Sequence, residues 1–228
     1  MRPLRPDTKL LTLSASRNDA TNHELKRLTW FRSFFYPQRF SEEIFLTYPS
    51  NGQPEPGEVA VISIEVAREE EVRKLSSKLL AIMADTNSQV YRENVAKFGI
   101  PEEYVREAFS EESLLSARTA GNIFYIASED DDILGFGQIV PRSKESVELD
   151  RIIIFPESTR RGIGTKLLHE IERDQKNMGI TKIIVRTGKE ELHARSFYEK
   201  NFFKETNEIE IDAPWGGELT LVQYELEL

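Results

Sequence analysis

Two glycines follow two arginines in the stretch "FPESTRRGIGTKLL" (155–168). An apolar run ends at Pro156, and a helical pattern of apolar residues begins directly after Gly162-Ile163-Gly164. The start of a helix presents free backbone N–H groups and carries about half a positive charge, so it binds anions. Glycine lets the backbone approach a ligand closely. The stretch is typical of an anion site, or of a plain turn whose glycines adopt positive φ angles.

Two common phosphate-binding motifs do not match these glycines. A dinucleotide-binding Gly-x-Gly-x-x-Gly motif needs a third glycine where this chain has Leu167. A P-loop ends in Gly-Lys-Ser/Thr, whereas the order here is Gly164-Thr165-Lys166.

Two segments together resemble the GNAT acetyltransferase superfamily. The acetyl-CoA signature of that family fits "FPESTRRGIG" at Pro156, Glu157, Gly162 and Gly164, and its later signature fits "ARSFYEKNFF" (194–203). The resemblance covers about residues 60–228 and implies an acetyl-CoA-dependent N-acetyltransferase with acetyl-CoA as its co-substrate. It implies that the phosphates bind to one loop, made of Arg160, Arg161, Gly162, Ile163, Gly164 and Thr165.

Three positions depart from the family pattern. Thr159 replaces the first Arg or Gln of the acetyl-CoA signature, Glu191 replaces an asparagine, and Phe202 replaces a glycine. These departures motivate an alternative function, a catalytically weak GNAT-like module that binds acyl-CoA or another protein.

The elements that would position this loop follow from the sequence pattern. From residue 59 the order reads β-α-α-β-β-β-α-β-α-β-β. The resemblance implies an α/β (α+β) fold, a mixed and mostly antiparallel sheet of about six to seven strands flanked by helices. Strands four and five would splay apart around the pantetheine arm. Thr187 and Glu190 form a predicted capping box for the helix before the later signature.

Strand four changes the parity of its apolar residues. Val147 and Leu149 occupy odd positions, whereas Ile152 and Ile154 occupy even ones. Such a change requires a β-bulge or burial on both faces. In the resemblance, the backbone near Ile152 and Ile154 binds the pantetheine amides, and the Ile154 N–H polarises the thioester carbonyl.

The resemblance also implies candidate catalytic residues. Glu148, six residues before Ile154, matches a catalytic glutamate of the histone-acetyltransferase branch. Asp150 or a chain of waters could remove the proton instead. Tyr198 matches the tyrosine that protonates the leaving thiolate in many relatives.

Composition limits the other possibilities. The net charge is −9, which argues against general nucleic-acid binding. The chain contains no cysteine, which excludes thiolate nucleophiles, and the scattered histidines predict no metal site. No apolar run is long enough for a membrane span, and we take the cytoplasm as the default location.

The pattern predicts two parts, an N-terminal extension (1–58) and the acetyltransferase domain (59–228). The extension contains a predicted amphipathic aromatic helix at about 21–36, which packs on the domain or forms a partner or homodimer surface.

The acceptor is expected to be a primary amine on a small molecule or peptide. Residues 68–113 carry more acidic than basic side chains, which would concentrate a cation. Trp215, in the turn "DAPWGG", would cover an ammonium group by a cation–π contact, or else anchor the turn to the core.

Overall fold

The computed structural model describes residues 61–88, 91–92, 95–213 and 215–228. The predicted extension, with its helix at about 21–36, lies outside the described residues, as does Pro214 in the turn that carries Trp215.

Seven strands form one sheet in the order β1-β2-β3-β4-β5-β7-β6. Neighbouring strands are antiparallel except β4 and β5, which are parallel. This mixed, mostly antiparallel sheet confirms the predicted fold class. The strands are β1 (Ser63–Val66), β2 (Ile123–Glu129), β3 (Asp132–Pro141), β4 (Ser146–Ile154), β5 (Lys182–Gly188), β6 (Lys204–Asp212) and β7 (Glu218–Glu227).

Five α-helices cover the two faces of this sheet within the described residues. They are α1 (Glu69–Ala84), α2 (Glu102–Ala108), α3 (Glu111–Thr119), α4 (Ile163–Asn177) and α5 (Leu192–Lys200). Helices α1 to α3 share one buried cluster with β2 and β3, and α4 and α5 share another with β4, β5 and β7. We call these the α1 face and the α4 face of the sheet. None of the helices described is long and apolar enough to cross a membrane.

A β-bulge in β4 accounts for the change of apolar parity. Gln138 pairs with Arg151 and the next residue of β3, Ile139, pairs with Leu149, so Asp150 has no partner on β3. The extra residue lets both Leu149 and Ile152 pack on the α4 face. The parity change predicted a bulge or burial on both faces, and the bulge is present. Most of the strand is also buried on both faces.

Strands β4 and β5 separate soon after they begin. Their pairing involves only Ser146–Glu148 and Lys182–Ile184, although β4 continues to Ile154 and β5 to Gly188. We call the space between the unpaired parts the β4–β5 gap. Its presence confirms the predicted splaying of strands four and five.

Two details differ from the sequence prediction. The predicted capping box at Thr187 and Glu190 is wrong, because β5 continues through Thr187 to Gly188 and α5 begins only at Leu192, after Glu191 as N-cap. Among its described residues, the helical region 68–119 contains α1, α2 and α3 rather than two helices. Ser110 caps α3 separately by accepting a hydrogen bond from the Ser113 N–H.

Candidate active site

The glycine loop leads directly into the start of α4. Gly162 is the N-cap with φ of 72°, and Arg160 has φ of 61°. The first hydrogen bond into the helix joins the Lys166 N–H to the Gly162 carbonyl at 3.1 Å, and no side chain caps the helix in the described part of the chain. The amides of Ile163, Gly164 and Thr165 therefore precede the first helical bond, which is the arrangement that suits an anion.

The two arginines of the loop lie in different surroundings. Arg160 is exposed, whereas the guanidinium of Arg161 forms an ion pair with Glu129 at the end of β2. The hydrogen bond from Arg161 holds the pKa of the Glu129 carboxyl below its usual value. Arg161 can therefore reach a bound phosphate only in exchange for this exposed contact.

Lys78 on α1 holds the turn that precedes the loop. Its ammonium group lies 3.0 Å from Glu157, 2.8 Å from Asp132 and 2.6 Å from the Ile133 carbonyl oxygen. It also lies 4.8 Å from the centre of the Phe155 ring. Lys78 was not predicted as a site residue, because its contact with Glu157 joins a helix to a loop 79 positions later.

The end of β4 directs backbone groups into the gap. The Phe155 N–H donates to the Leu134 carbonyl on β3 at 2.9 Å. Because successive N–H groups of a strand point in opposite directions, those of Ile152 and Ile154 point towards the gap. Gly164 lies beside both the strand and α5, since a Cβ added there would be 3.6 Å from Ile154 and 3.6 Å from Phe197. The loop, β4 and α5 therefore meet at the gap.

Tyr198 is buried on the side of α5 that faces the sheet. Its ring centre lies 5.5 Å from those of Phe197 and Phe203 and 6.2 Å from that of Tyr224. Burial raises the pKa of the Tyr198 phenol well above its ordinary value. The hydroxyl therefore keeps its proton at neutral pH.

Glu148 lies between two arginines on the α1 face. Its carboxylate accepts a hydrogen bond of 2.6 Å from Nε of Arg142 and one of 2.9 Å from Nη1 of Arg186. The Glu148 side chain is 6% exposed, while those of Arg142 and Arg186 are 36% and 30% exposed. Arg142 and Arg186 were not predicted as site residues, although Arg186 directly follows the apolar run 183–185 of the predicted strand.

The β-bulge places a second polar group on the same face. Asp150 and Arg151 are both buried, with Oδ2 and Nε 3.5 Å apart, and the Arg151 guanidinium lies 5.0 Å from the centre of the Phe109 ring. Gln138 is fully buried beside Arg151, and its amide has no hydrogen-bond partner among the residues that the structure describes. A buried amide without a partner lowers the stability of the folded protein. This part of the α1 face is therefore more polar than the fold requires.

Trp215 and Glu191 both contact the 3₁₀ turn Ala96–Phe98, which lies between α1 and α2. The Trp215 indole N–H donates to the Phe98 carbonyl at 3.1 Å, and its ring meets Tyr104 edge to face at 5.9 Å. Glu191, which stands where the family has asparagine, accepts from the Lys97 ammonium at 2.7 Å. The side chain of Glu191, which departs from the family pattern, thus has an ion-pair partner in Lys97. Trp215 is fixed to the core.

Comparison with known proteins identifies the family. Residues 87–202 match the model of the acetyltransferase (GNAT) family. The chain belongs to the GNAT acetyltransferase family. It is also 30% identical over 142 residues to spermidine N(1)-acetyltransferase of Thermoplasma acidophilum, a match covering 59% of this chain and 88% of that protein. The chain is accordingly an N-acetyltransferase, as the two sequence signatures predicted.

Solved structures of GNAT acetyltransferases share the fold. A family member from Desulfovibrio desulfuricans has a TM-score of 0.55 at 19% identity, covering 73% of this chain and 99% of its own. The PaiA N-acetyltransferase of Thermoplasma acidophilum, in complex with coenzyme A, has a TM-score of 0.52 at 23% identity, covering 73% and 99%. A member from Elizabethkingia anophelis with acetyl-CoA bound has a TM-score of 0.51 at 18% identity, covering 73% and 98%.

Proposed function

We propose that this GNAT enzyme moves the acetyl group of acetyl-CoA directly to a primary amine within a ternary complex. The β4–β5 gap, with an uncapped helix start beside it, carries this proposal. The absence of cysteine from the chain supports direct transfer, since no thiolate can hold the acetyl group.

The loop would hold the phosphates of the cofactor. The free amides of Ile163, Gly164 and Thr165, together with the positive φ angles of Arg160 and Gly162, fit a pyrophosphate group. Arg160 is exposed and can approach a phosphate from solvent, and Arg161 can do so by leaving Glu129. Binding here would depend on backbone groups more than on either arginine.

The gap would hold the pantetheine arm and the thioester. When bound, acetyl-CoA supplies an activated acetyl group. The N–H groups of Ile152 and Ile154 would orient the arm, and that of Ile154 would also stabilise negative charge on the thioester oxygen. Tyr198, buried on the side of α5 that faces the sheet, would donate its proton towards the leaving sulfur.

The acceptor ammonium must lose a proton before it can attack. Glu148 is the proposed base, and both of its carboxylate oxygens are bonded to arginines. It would take the proton on a lone pair that these bonds leave free. Asp150, buried beside Arg151, or a chain of waters are the other routes.

Release of free CoA thiol tests the proposal. We expect turnover with at least one member of a panel of polyamines, amino acids, aminoglycosides and peptides, and a product heavier than the amine by one acetyl group. Initial rates at varied concentrations of both substrates should give intersecting lines, as direct transfer requires. Acetyl-CoA binding in calorimetry without turnover of any amine would instead support the catalytically weak module.

A second proposal concerns the division of the chain. The solved structures above cover 73% of this chain but 98–99% of their own length, which supports an extension (1–58) added to a GNAT domain (59–228). If the extension mediates a homodimer, the solution mass of the full chain should be twice that of a monomer, and a variant lacking residues 1–58 should be monomeric.

A further inference from the structure

The closed end of the β4–β5 gap carries three charged side chains on the α1 face. Val147, Leu149 and Val185 pack on the α4 face, so their strand neighbours Glu148 and Arg186 point to the opposite side. Glu148 belongs to the last β4–β5 pair and Arg186 lies two residues beyond its partner Ile184. An acceptor that approaches the gap from the α1 face, opposite to α4, would therefore meet these arginines.

The charges at this point do not balance. One buried carboxylate, that of Glu148, serves the two partly exposed guanidinium groups of Arg142 and Arg186. Asp150 and Arg151 pair with each other close by. The three arginines and two carboxylates named here together carry a net charge of +1.

Donor groups also remain at the exposed side of the arginines. Arg142 uses Nε and Nη2 towards Glu148, and Arg186 uses Nη1 towards Glu148 and Nε towards Gln223. Among the described residues, nothing accepts from Nη1 of Arg142 or from Nη2 of Arg186. Guanidinium groups with free N–H donors form strong, charge-assisted hydrogen bonds with carboxylates and phosphates.

We propose that the acceptor is a primary amine that also carries a carboxylate, and that Arg142 and Arg186 determine this specificity by binding the carboxylate. The inference rests on the proposed amine acetylation and names its substrate class. It departs from the cation preference that the acidic composition of residues 68–113 suggested. Many of those acidic side chains are already paired with basic ones on the same helices, such as Glu69 with Arg73 and Glu102 with Arg106.

Matched pairs of substrates test the proposal. Lysine and cadaverine differ only by a carboxylate, as do phenylalanine and phenethylamine. We expect kcat/KM of the wild-type enzyme to be at least tenfold higher for the carboxylate-bearing member of at least one pair. A comparison of glycyl-lysine with lysine shows whether the enzyme prefers the end of a peptide or a free amino acid. The value of kcat/KM for at least one of these two must exceed that for cadaverine.

The ratio of kcat/KM within a pair is then measured for Arg142→Gln and Arg186→Gln. Each should lower the ratio at least fivefold, while Arg118→Gln, an exposed arginine on α3, leaves it unchanged. Both members of a pair are assayed on the same preparation, so a partial loss of folded enzyme cancels from the ratio. Equal or better turnover of the decarboxylated amines by the wild-type enzyme, or an unchanged ratio in both variants, would overturn the proposal. Absence of thiol release with every amine would refute the proposed function itself.

Discussion

The indole N–H of Trp215 donates to the carbonyl oxygen of Phe98 across 117 positions of the chain. This bond joins the β6–β7 turn to the segment between α1 and α2, and the contact with Tyr104 joins the same turn to α2. Trp215→Phe keeps a ring but leaves that carbonyl without its donor, so we expect the free energy of unfolding to fall by about 1 kcal/mol. Chemical denaturation measures this change.

Trp215→Ala distinguishes an anchor from an acceptor contact. We expect a larger loss of stability, about 2 kcal/mol, because the ring contact is lost as well. Well below the melting temperature, the KM values for the acceptor and for acetyl-CoA should both stay within twofold of wild type. A selective rise in the acceptor KM at unchanged melting temperature would place the indole in the acceptor site instead.

Gly164→Asp should separate cofactor binding from folding. The backbone at Gly164 has no positive φ, and an added Cβ makes ordinary contacts of 3.6 Å, so the variant should fold. A carboxylate in the first turn stabilises a helix by about 0.3–1 kcal/mol, so the melting temperature should stay equal or rise. The same charge opposes the phosphates, and we expect affinity for acetyl-CoA in calorimetry to fall at least tenfold, or about 1.4 kcal/mol.

Gly164→Ala is the control for that variant, since it adds the Cβ without the charge. Its affinity for acetyl-CoA should remain close to that of the wild type. If Gly164→Asp bound acetyl-CoA normally, the phosphates could not lie at the start of α4.

Tyr198→Phe should slow the chemical step and leave binding intact. The change removes one proton and keeps the ring that packs on Phe203 and Tyr224. We expect kcat to fall at least tenfold with acetyl-CoA affinity within twofold, because the lost interaction forms only in the transition state. Tyr224→Phe, in the same aromatic cluster, should retain kcat. Equal losses in binding and turnover for Tyr198→Phe would indicate a structural role.

The raised pKa of Tyr198 also predicts how stability depends on pH. An unfolded tyrosine ionises near pH 10, while buried Tyr198 stays protonated above that value. The folded state then binds more protons than the unfolded state, so the free energy of unfolding decreases as pH rises above about 10. Urea titrations between pH 9 and 11 should show a steeper decrease for the wild type than for Tyr198→Phe. Parallel decreases would contradict the buried, protonated phenol.

Phe202 should be a site where substitution stabilises the fold. Helix α5 ends in a Schellman motif, in which the Phe203 N–H donates to the Tyr198 carbonyl at 3.0 Å and the Phe202 N–H donates to the Glu199 carbonyl at 3.1 Å. Phe202 has φ of 67° and is 81% exposed, so it bears backbone strain and contributes little burial. We expect Phe202→Gly to raise the free energy of unfolding by about 1 kcal/mol.

The chain offers two controls for that prediction. Phe202→Ala keeps the strained backbone and should give little or no gain. Helix α4 ends in the same motif with Gly179 at the equivalent position, with φ of 83°. Gly179→Ala should therefore destabilise by a similar amount. A loss of stability in Phe202→Gly would mean that the phenyl ring makes a contact that outweighs the strain.

The sequence predicted features that depend on neighbouring residues. The parity change between Leu149 and Ile152 is a local pattern that predicted a bulge or burial on both faces, and β4 has both. The capping box at Thr187 failed because tertiary pairing with β7 extends β5 to Gly188, and a local pattern cannot weigh that pairing.

The surroundings of the candidate catalytic residues could not be predicted in the same way. Arg186 reaches Glu148 across 38 positions only because β4 and β5 pair in parallel over three residues. The register of that short pairing depends on the whole sheet. The contact between Trp215 and Phe98 depends likewise on where two separate loops meet.

The β4–β5 gap gives the sheet two inner edges in addition to the outer edges formed by β1 and β6. Exposed strand edges pair readily with any extended chain that offers N–H and C=O groups. The inner edges lie within the sheet, where another protein strand cannot easily enter, but a thin chain that carries amide groups can. A bound pantetheine arm would act as a short additional strand, and protection of the Ile152 and Ile154 amides from hydrogen exchange would increase when it binds.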